Sequence, residues 1–85
     1  MTDKITIQNF AFIQSKVVVH KGDTITWTNQ DDAHHNVNIT SGPEKSAGPL
    51  LAKGETYQKT FNQVGTYEYN CAPHPYMKGT IEVQE

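Results

Sequence analysis

The segment from Cys71 to Met77 carries three side chains that can bind a metal ion. A thiol, an imidazole and a thioether occur at Cys71, His74 and Met77, so each donor follows the previous one after three positions, with two residues between them. Pro73 and Pro75 fix the backbone φ angle at two of the intervening positions. The segment therefore predicts a stiff loop that presents soft donors to one place.

A fourth donor, His35, is distant in sequence but is predicted to point into the same interior. Side chains alternate between the two faces of a strand. Over residues 35–39 this alternation turns His35 inward and leaves His34 outside. Over Thr66–Cys71 it turns Cys71 inward, below Tyr67 and Tyr69. Two metal-binding side chains are thus directed into one core from separate strands.

Two imidazoles, one thiolate and one axial thioether are the donors of blue-copper electron-transfer sites. Thiolate and thioether favour Cu(I), whereas imidazole suits both oxidation states. Taken singly, each residue has a simpler explanation: a small buried Cys71, a gap-filling Met77, a surface His74 and a strand His35. Their joint occurrence, at matching spacing and strand parity, favours a copper site.

Composition favours strands and excludes some classes of protein. The 85 residues include ten Thr and six Val against two Leu, and the net charge is −2. Seven Lys and no Arg argue against a nucleic-acid surface. No apolar run is long enough to cross a bilayer, and we expect neither a signal peptide nor an anchor in this chain. A single Cys cannot form an internal disulfide.

Strand-like segments separated by turn residues fill most of the chain. The predicted strands are Lys4–Phe12, Lys16–His20, Thr24–Asn29, 35–39, Thr56–Phe61, Thr66–Cys71 and Gly79–Val83. A change of parity near Asn9 predicts a bulge or a change of sheet, residues 21–23 predict a hairpin turn, and 40–55 predict an irregular crossover. The pattern predicts an all-β fold, a β-sandwich of about seven to eight strands in one domain over residues 1–85.

Several other residues receive structural interpretations. Trp27, Tyr67 and Tyr69 are predicted to be core. Asp31 and Asp32 are predicted to form a solvated turn, and carboxylates beside a redox face can also orient a cationic partner.

These segments resemble the cupredoxins, the type 1 blue copper proteins, over essentially the whole chain. The resemblance is carried by GDTITWTN at 22–29, HNV at 35–37, GTYEYNC at 65–71 and MKG at 77–79. They are similar to plastocyanins and amicyanins. The short spacing from Cys71 through His74 to Met77, with a proline on each side of His74, is most like that of amicyanins. One departure is His34, where amicyanin-like chains often have proline.

The resemblance implies a Greek-key β-sandwich that binds one copper ion, cycling between Cu(I) and Cu(II), through His35, Cys71, His74 and Met77. It implies a small soluble one-electron carrier, not an enzyme, which transfers electrons through the exposed edge of His74. It also implies that Asn36 ties its strand to the Cys71 loop, and that the Asn36 backbone N–H donates to the thiolate.

The resemblance further implies redox partner proteins that dock transiently near His74. The apolar residues expected around it are Pro73, Pro75, Ala33 and either Ile13 or Leu50. A monomer in an extracytoplasmic location, the periplasm or the cell surface, is expected.

Other functions remain open at this stage. A copper chaperone, store or resistance protein could use the same fold, and the domain could be a module of a larger oxidoreductase. An immunoglobulin-like adhesion module would explain Tyr69-Asn70-Cys71 and a buried Trp, but it needs a second Cys. A structural zinc site is disfavoured because Met is a poor zinc ligand.

Overall fold

Two β-sheets pack face to face in the computed structural model, which describes residues 2–85. Within these residues the strands are β1 (Thr2–Gln8), β2 (Ala11–Ile13), β3 (Lys16–His20), β4 (Thr24–Asn29), β5 (Asn38–Ser41), β6 (Ser46–Ala47), β7 (Thr56–Thr60), β8 (Gly65–Cys71) and β9 (His74–Gln84). One sheet has the order β2-β1-β4-β7 and the other β3-β9-β8-β5-β6. The predicted all-β sandwich is confirmed, with nine strands in the described residues instead of the seven to eight expected.

The alternation of apolar and polar residues explains why these strands form a sandwich. Along β4, Ile25, Trp27 and Asn29 are buried while the intervening threonines are half-buried. Along β8, Tyr67, Tyr69 and Cys71 are buried. Each sheet thus turns one apolar face inward, and both faces contribute to a single core.

The two sheets meet at a contact between Trp27 and Tyr69. The indole Nε1–H of Trp27 donates to the Tyr69 hydroxyl at 3.2 Å, and the ring centroids lie 5.6 Å apart. Burial raises the pKa of Tyr69 to about 12, although the hydrogen bond from Trp27 acts in the opposite direction. The prediction that Trp27, Tyr67 and Tyr69 form the core is confirmed.

The prediction of one continuous strand over Lys4–Phe12 is wrong, because β1 ends at Gln8 and β2 begins at Ala11. Residues Asn9 and Phe10 both have φ of 56° and form a two-residue turn between β1 and β2. The change of side-chain parity therefore reflects a hairpin rather than a bulge or a change of sheet.

Residues 21–23 do not close a hairpin, because the strands they join lie in different sheets. β3 pairs with β9, whereas β4 pairs with β1 and β7. The Lys21 backbone N–H donates to Gln84 O at 2.7 Å, and the Gly22 N–H donates to Phe61 O at the same distance. The turn is therefore stabilised by one backbone hydrogen bond to the sheet that contains β9 and by another to the residue that directly follows β7 of the other sheet.

Two further strand boundaries differ from the prediction. Residues 35–39 are not one strand, since β5 begins at Asn38. β9 begins at His74 instead of Gly79, because Cys71 pairs with His74 and closes a tight β8–β9 hairpin. The predicted crossover 40–55 contains the short strand β6 as well as irregular chain. These boundaries decide how the donor residues are presented.

Candidate metal centre

Cys71 ends β8 at one end of the sandwich, and its side chain is fully buried. It is the free thiol of the chain. The strand parity that buries Tyr67 and Tyr69 also turns Cys71 inward, as predicted. The thiol is therefore placed where a neighbouring imidazole, rather than water, is its partner.

The β8–β9 hairpin brings His74 back over Cys71. Only Ala72 and Pro73 separate the two paired residues, so the turn is short. The His74 Nδ1 atom lies 3.5 Å from the Cys71 Sγ atom, and the imidazole is half-buried. Three residues further along β9, Met77 is buried in the core. The segment from Cys71 to Met77 thus places its first two donors in contact and its third inside the molecule.

His35 reaches the same place from the connection between β4 and β5. It lies outside any strand, but paired backbone hydrogen bonds with Leu51 hold it in an extended conformation: His35 N–H donates to Leu51 O at 3.2 Å, and Leu51 N–H donates to His35 O at 2.7 Å. His35 is fully buried and its Nδ1 lies 3.4 Å from Cys71 Sγ. The outward-pointing His34 is exposed. The prediction of orientation is confirmed even though no strand spans 35–39.

The donor atoms of His35, Cys71 and His74 fit a single metal ion. All three lie within 4.8 Å of one another. Metal–nitrogen bonds of about 2.0 Å and metal–sulfur bonds of about 2.3 Å, as at zinc sites, separate N and S donors by about 3.5–3.8 Å. The observed separations of 3.4 and 3.5 Å are close to this range. An ion could therefore be bound between them with little movement of the protein.

Asp31 fixes the far side of the His35 ring. Its Oδ2 atom lies 2.9 Å from His35 Nε2 and also accepts the Phe10 backbone N–H at 2.9 Å, while Oδ1 accepts the Asn9 N–H at 2.8 Å. Partial burial acts to raise the pKa of the Asp31 carboxyl, but these hydrogen bonds outweigh it and lower the pKa. An ionised carboxylate only accepts, so Nε2 carries the imidazole hydrogen and the unprotonated Nδ1 presents its lone pair towards Cys71.

The expectation that Asp31 and Asp32 form a solvated turn is wrong for Asp31. The Asp32 side chain is 95% exposed and lies 3.4 Å from Lys53, whereas the Asp31 side chain is only 12% exposed. The backbone N–H of Asp31 donates to the buried Asn29 side chain, which directs the carboxylate towards His35. No sequence pattern indicated this pair, because a spacing of four residues brings side chains together only in a helix, and residues 31–35 are not helical.

Asn36 joins the three chain segments around the donors. Its Oδ1 atom accepts the Ala72 backbone N–H at 2.8 Å, and its Nδ2 donates to Gly48 O at 3.1 Å. The expected tie between Asn36 and the Cys71 loop is confirmed. The expected bond from the Asn36 backbone N–H to the thiolate stays a prediction.

An aromatic ring that the sequence did not single out covers the two imidazoles. The Phe10 centroid lies 5.1 Å from that of His35 and 5.0 Å from that of His74, with the rings nearly perpendicular. Tyr76 lies 6.1 Å from His74 and is exposed. Of the apolar residues expected around His74, Pro73, Pro75, Leu50 and Ile13 are exposed, and Ala33 is half-buried.

Comparison with known proteins agrees with the fold and with this geometry. The family of copper-binding proteins described as plastocyanin/azurin matches residues 1–84. The chain belongs to this family.

Within the family, the chain is similar to amicyanins and plastocyanins. It is 42% identical to amicyanin-alpha of Methylorubrum extorquens over 95% of this chain and 71% of that protein. It is 36% identical to amicyanin of Paracoccus denitrificans, over 94% of this chain but only 63% of that protein. A Cu(I) form of an amicyanin variant superposes with a TM-score of 0.91 at 35% identity, covering 98% of this chain and 82% of the other.

Within residues 2–85, no helix is both long and apolar enough to cross a bilayer.

Proposed function

We propose that this protein is a type 1 copper protein that acts as a small one-electron carrier. The observation that carries the proposal is the convergence of His35 Nδ1, Cys71 Sγ and His74 Nδ1 within 4.8 Å in a member of a copper-binding family. Met77, buried beside the same hairpin, is proposed as the weak axial ligand. When bound, copper would supply a single Cu(I)/Cu(II) electron couple.

The chain's own residues suit a site that changes little between oxidation states. His35 is immobilised by Leu51 on its backbone and by Asp31 on its ring. The turn that carries His74 is anchored through Ala72 to Asn36. Rigid ligands prevent the rearrangement that Cu(II) would undergo if its ligands could move. Because the ligand geometry then changes little between oxidation states, electron transfer is fast and needs no bond breaking.

Transfer through His74 is favoured over transfer through the other donors. His35, Cys71 and Met77 are buried, whereas His74 is half-buried and surrounded by exposed prolines and Tyr76. A redox partner could therefore approach the imidazole edge of His74 through a small apolar contact, as transient redox encounters do. Nothing in this arrangement requires a substrate pocket or an acid–base pair, so a carrier is preferred to an enzyme.

We further propose a single copper-binding domain over residues 1–85, acting as a monomer in an extracytoplasmic location. Membership of the plastocyanin/azurin family supports these proposals.

Exchange of the metal distinguishes a carrier from a copper chaperone. The copper-loaded protein is cycled repeatedly between ferricyanide and ascorbate, and in parallel the Cu(I) form is mixed with an equimolar Cu(I)-binding acceptor. A carrier retains its copper and its full absorbance change through the cycles. Rapid and complete passage of Cu(I) to the equimolar acceptor would favour the chaperone alternative instead.

A further inference from the structure

The turn between β1 and β2 holds a phenylalanine in an unfavourable backbone conformation. Asn9 and Phe10 both have φ of 56°, which is the geometry of a type I′ turn. Asn suits the first position, but Gly is preferred at the second, because side chains with a Cβ rarely adopt positive φ. Phe10 must therefore be held by contacts outside the turn.

The Asp31 carboxylate supplies contacts of this kind. Its two oxygens accept the successive backbone N–H groups of Asn9 and Phe10, at 2.8 and 2.9 Å. Hydrogen bonds to an ionised acceptor are stronger than neutral ones. Asp31 is itself fixed by the buried Asn29 side chain, which accepts the Asp31 N–H at 2.9 Å. The conformation of the turn is thus set from the β4–β5 connection.

The ring of Phe10 projects from this turn onto the metal centre. It meets the imidazoles of His35 and His74 edge to face, at centroid distances of 5.1 and 5.0 Å, and those two imidazoles lie 4.9 Å apart. Three rings therefore pack as a closed triangle. Phe10 is 42% exposed, so one side of its ring faces solvent while the other contacts the two histidines.

One carboxylate oxygen of Asp31 contacts both the turn that holds Phe10 and the His35 ring of the metal centre. Oδ2 of Asp31 is 2.9 Å from the Phe10 backbone nitrogen and 2.9 Å from His35 Nε2. We infer that Asp31 and Phe10 are positioning residues, which together form a clasp on the metal centre. Asp31 fixes the tautomer of His35 and the position of Phe10. Phe10 restrains His74 and limits the access of solvent and competing ligands to the centre. This inference rests on the proposed function for its copper-dependent part only.

The Asp31 half of the clasp is tested with Asp31→Asn, and Asp32→Asn is the matched control. In the variant, an amide NH₂ group replaces one of the two acceptor oxygens. We expect ¹⁵N NMR of the metal-free protein to show His35 as a single Nε2–H tautomer in wild type and as a mixture in Asp31→Asn. The Asn9 and Phe10 amides should exchange on the order of tenfold faster. The fully exposed Asp32 should give no change in either readout.

The Phe10 half is tested with Phe10→Ala, and Val64→Ala is the control. Val64 is as exposed as Phe10, at 43%, but precedes β8 at the end opposite to Cys71. In Phe10→Ala the His74 ring protons should lose their ring-current shift, and Cu(I) should be removed by a large excess of bathocuproine roughly three- to tenfold faster. The His35 tautomer should remain single, since Asp31 is intact.

These outcomes separate the clasp from the proposed function. If copper gives no blue site at all, the proposed function is wrong, and the NMR readouts on the metal-free protein still decide whether the clasp exists. If the blue site forms but Asp31→Asn leaves the His35 tautomer and both amides unchanged, the Asp31 part is overturned. An unchanged rate of Cu(I) removal in a folded Phe10→Ala protein overturns the Phe10 part.

Discussion

Replacing Asn36 by alanine should loosen the loop that carries Cys71 and His74. The variant loses the bond from the Ala72 N–H to Asn36 Oδ1, at 2.8 Å, and the bond from Asn36 Nδ2 to Gly48 O, at 3.1 Å. A neutral hydrogen bond contributes about 1 kcal/mol net, so the two together should account for about 2 kcal/mol of unfolding free energy.

The surroundings of Asn36 should keep the loss of unfolding free energy from exceeding about 2 kcal/mol. Ala72 is exposed and Gly48 is half-buried, so water can partly replace the lost partners. For a domain of this size, a loss of about 2 kcal/mol lowers the Tm by roughly 8–16 °C. Thermal and urea unfolding of the metal-free Asn36→Ala protein, followed by circular dichroism, measures both quantities.

Asn38→Ala provides the matched control for Asn36→Ala. Asn38 makes one side-chain bond, from its Nδ2 to Asn70 Oδ1 at 3.0 Å, and is half-buried. Its replacement should cost about 1 kcal/mol or less. If the two variants lose the same stability, or if Asn36→Ala loses less than about 0.5 kcal/mol, the argument that Asn36 ties the loops together is refuted.

Three further perturbations test other parts of the structure. A Cβ atom at Gly79 would overlap the buried Tyr69 ring, so Gly79→Ala should lower the unfolding free energy by about 1–3 kcal/mol; an unchanged urea midpoint would contradict the packing. Met77→Leu should keep copper and raise the reduction potential in a redox titration, because it removes the weak axial donor; complete loss of binding would rule out that role. The His20 backbone N–H lowers the pKa of Asp23 below 3.8, so Asp23 stabilises the fold above that pH and less as pH falls below it. Asp23→Asn should therefore flatten the acid limb of a stability–pH curve, and identical acid limbs would exclude the effect.

Local patterns predicted the residues whose placement depends on strand parity. Tyr67, Tyr69 and Cys71 alternate with polar residues, and a period of two is enough to turn all three inward. His35 was also predicted correctly as inward, although the reason was incomplete. Its extended conformation comes from pairing with Leu51, which lies 16 residues further along the chain.

The clasp could not be predicted in this way, because it depends on contacts between distant segments. Asp31 resembles a solvated turn residue until the β1–β2 turn is placed beside it, 21 and 22 residues away in sequence. Phe10 was placed within the predicted strand Lys4–Phe12, because its left-handed conformation has no marker such as glycine in the sequence. In the same way, the turn at 21–23 had hairpin composition, and only the pairing of its flanking strands shows that it joins two sheets.

The visible and electron paramagnetic resonance spectra of the Cu(II)-loaded protein test the central claim most directly. Coordination by the Cys71 thiolate with two imidazoles predicts an intense blue or blue-green colour that ascorbate bleaches, together with the narrow copper hyperfine splitting of a type 1 site. Cys71→Ser should abolish the colour, because the thiolate is its source. A colourless or faintly absorbing Cu(II) complex in the wild-type protein would contradict the assignment of His35, Cys71 and His74 as a type 1 copper centre.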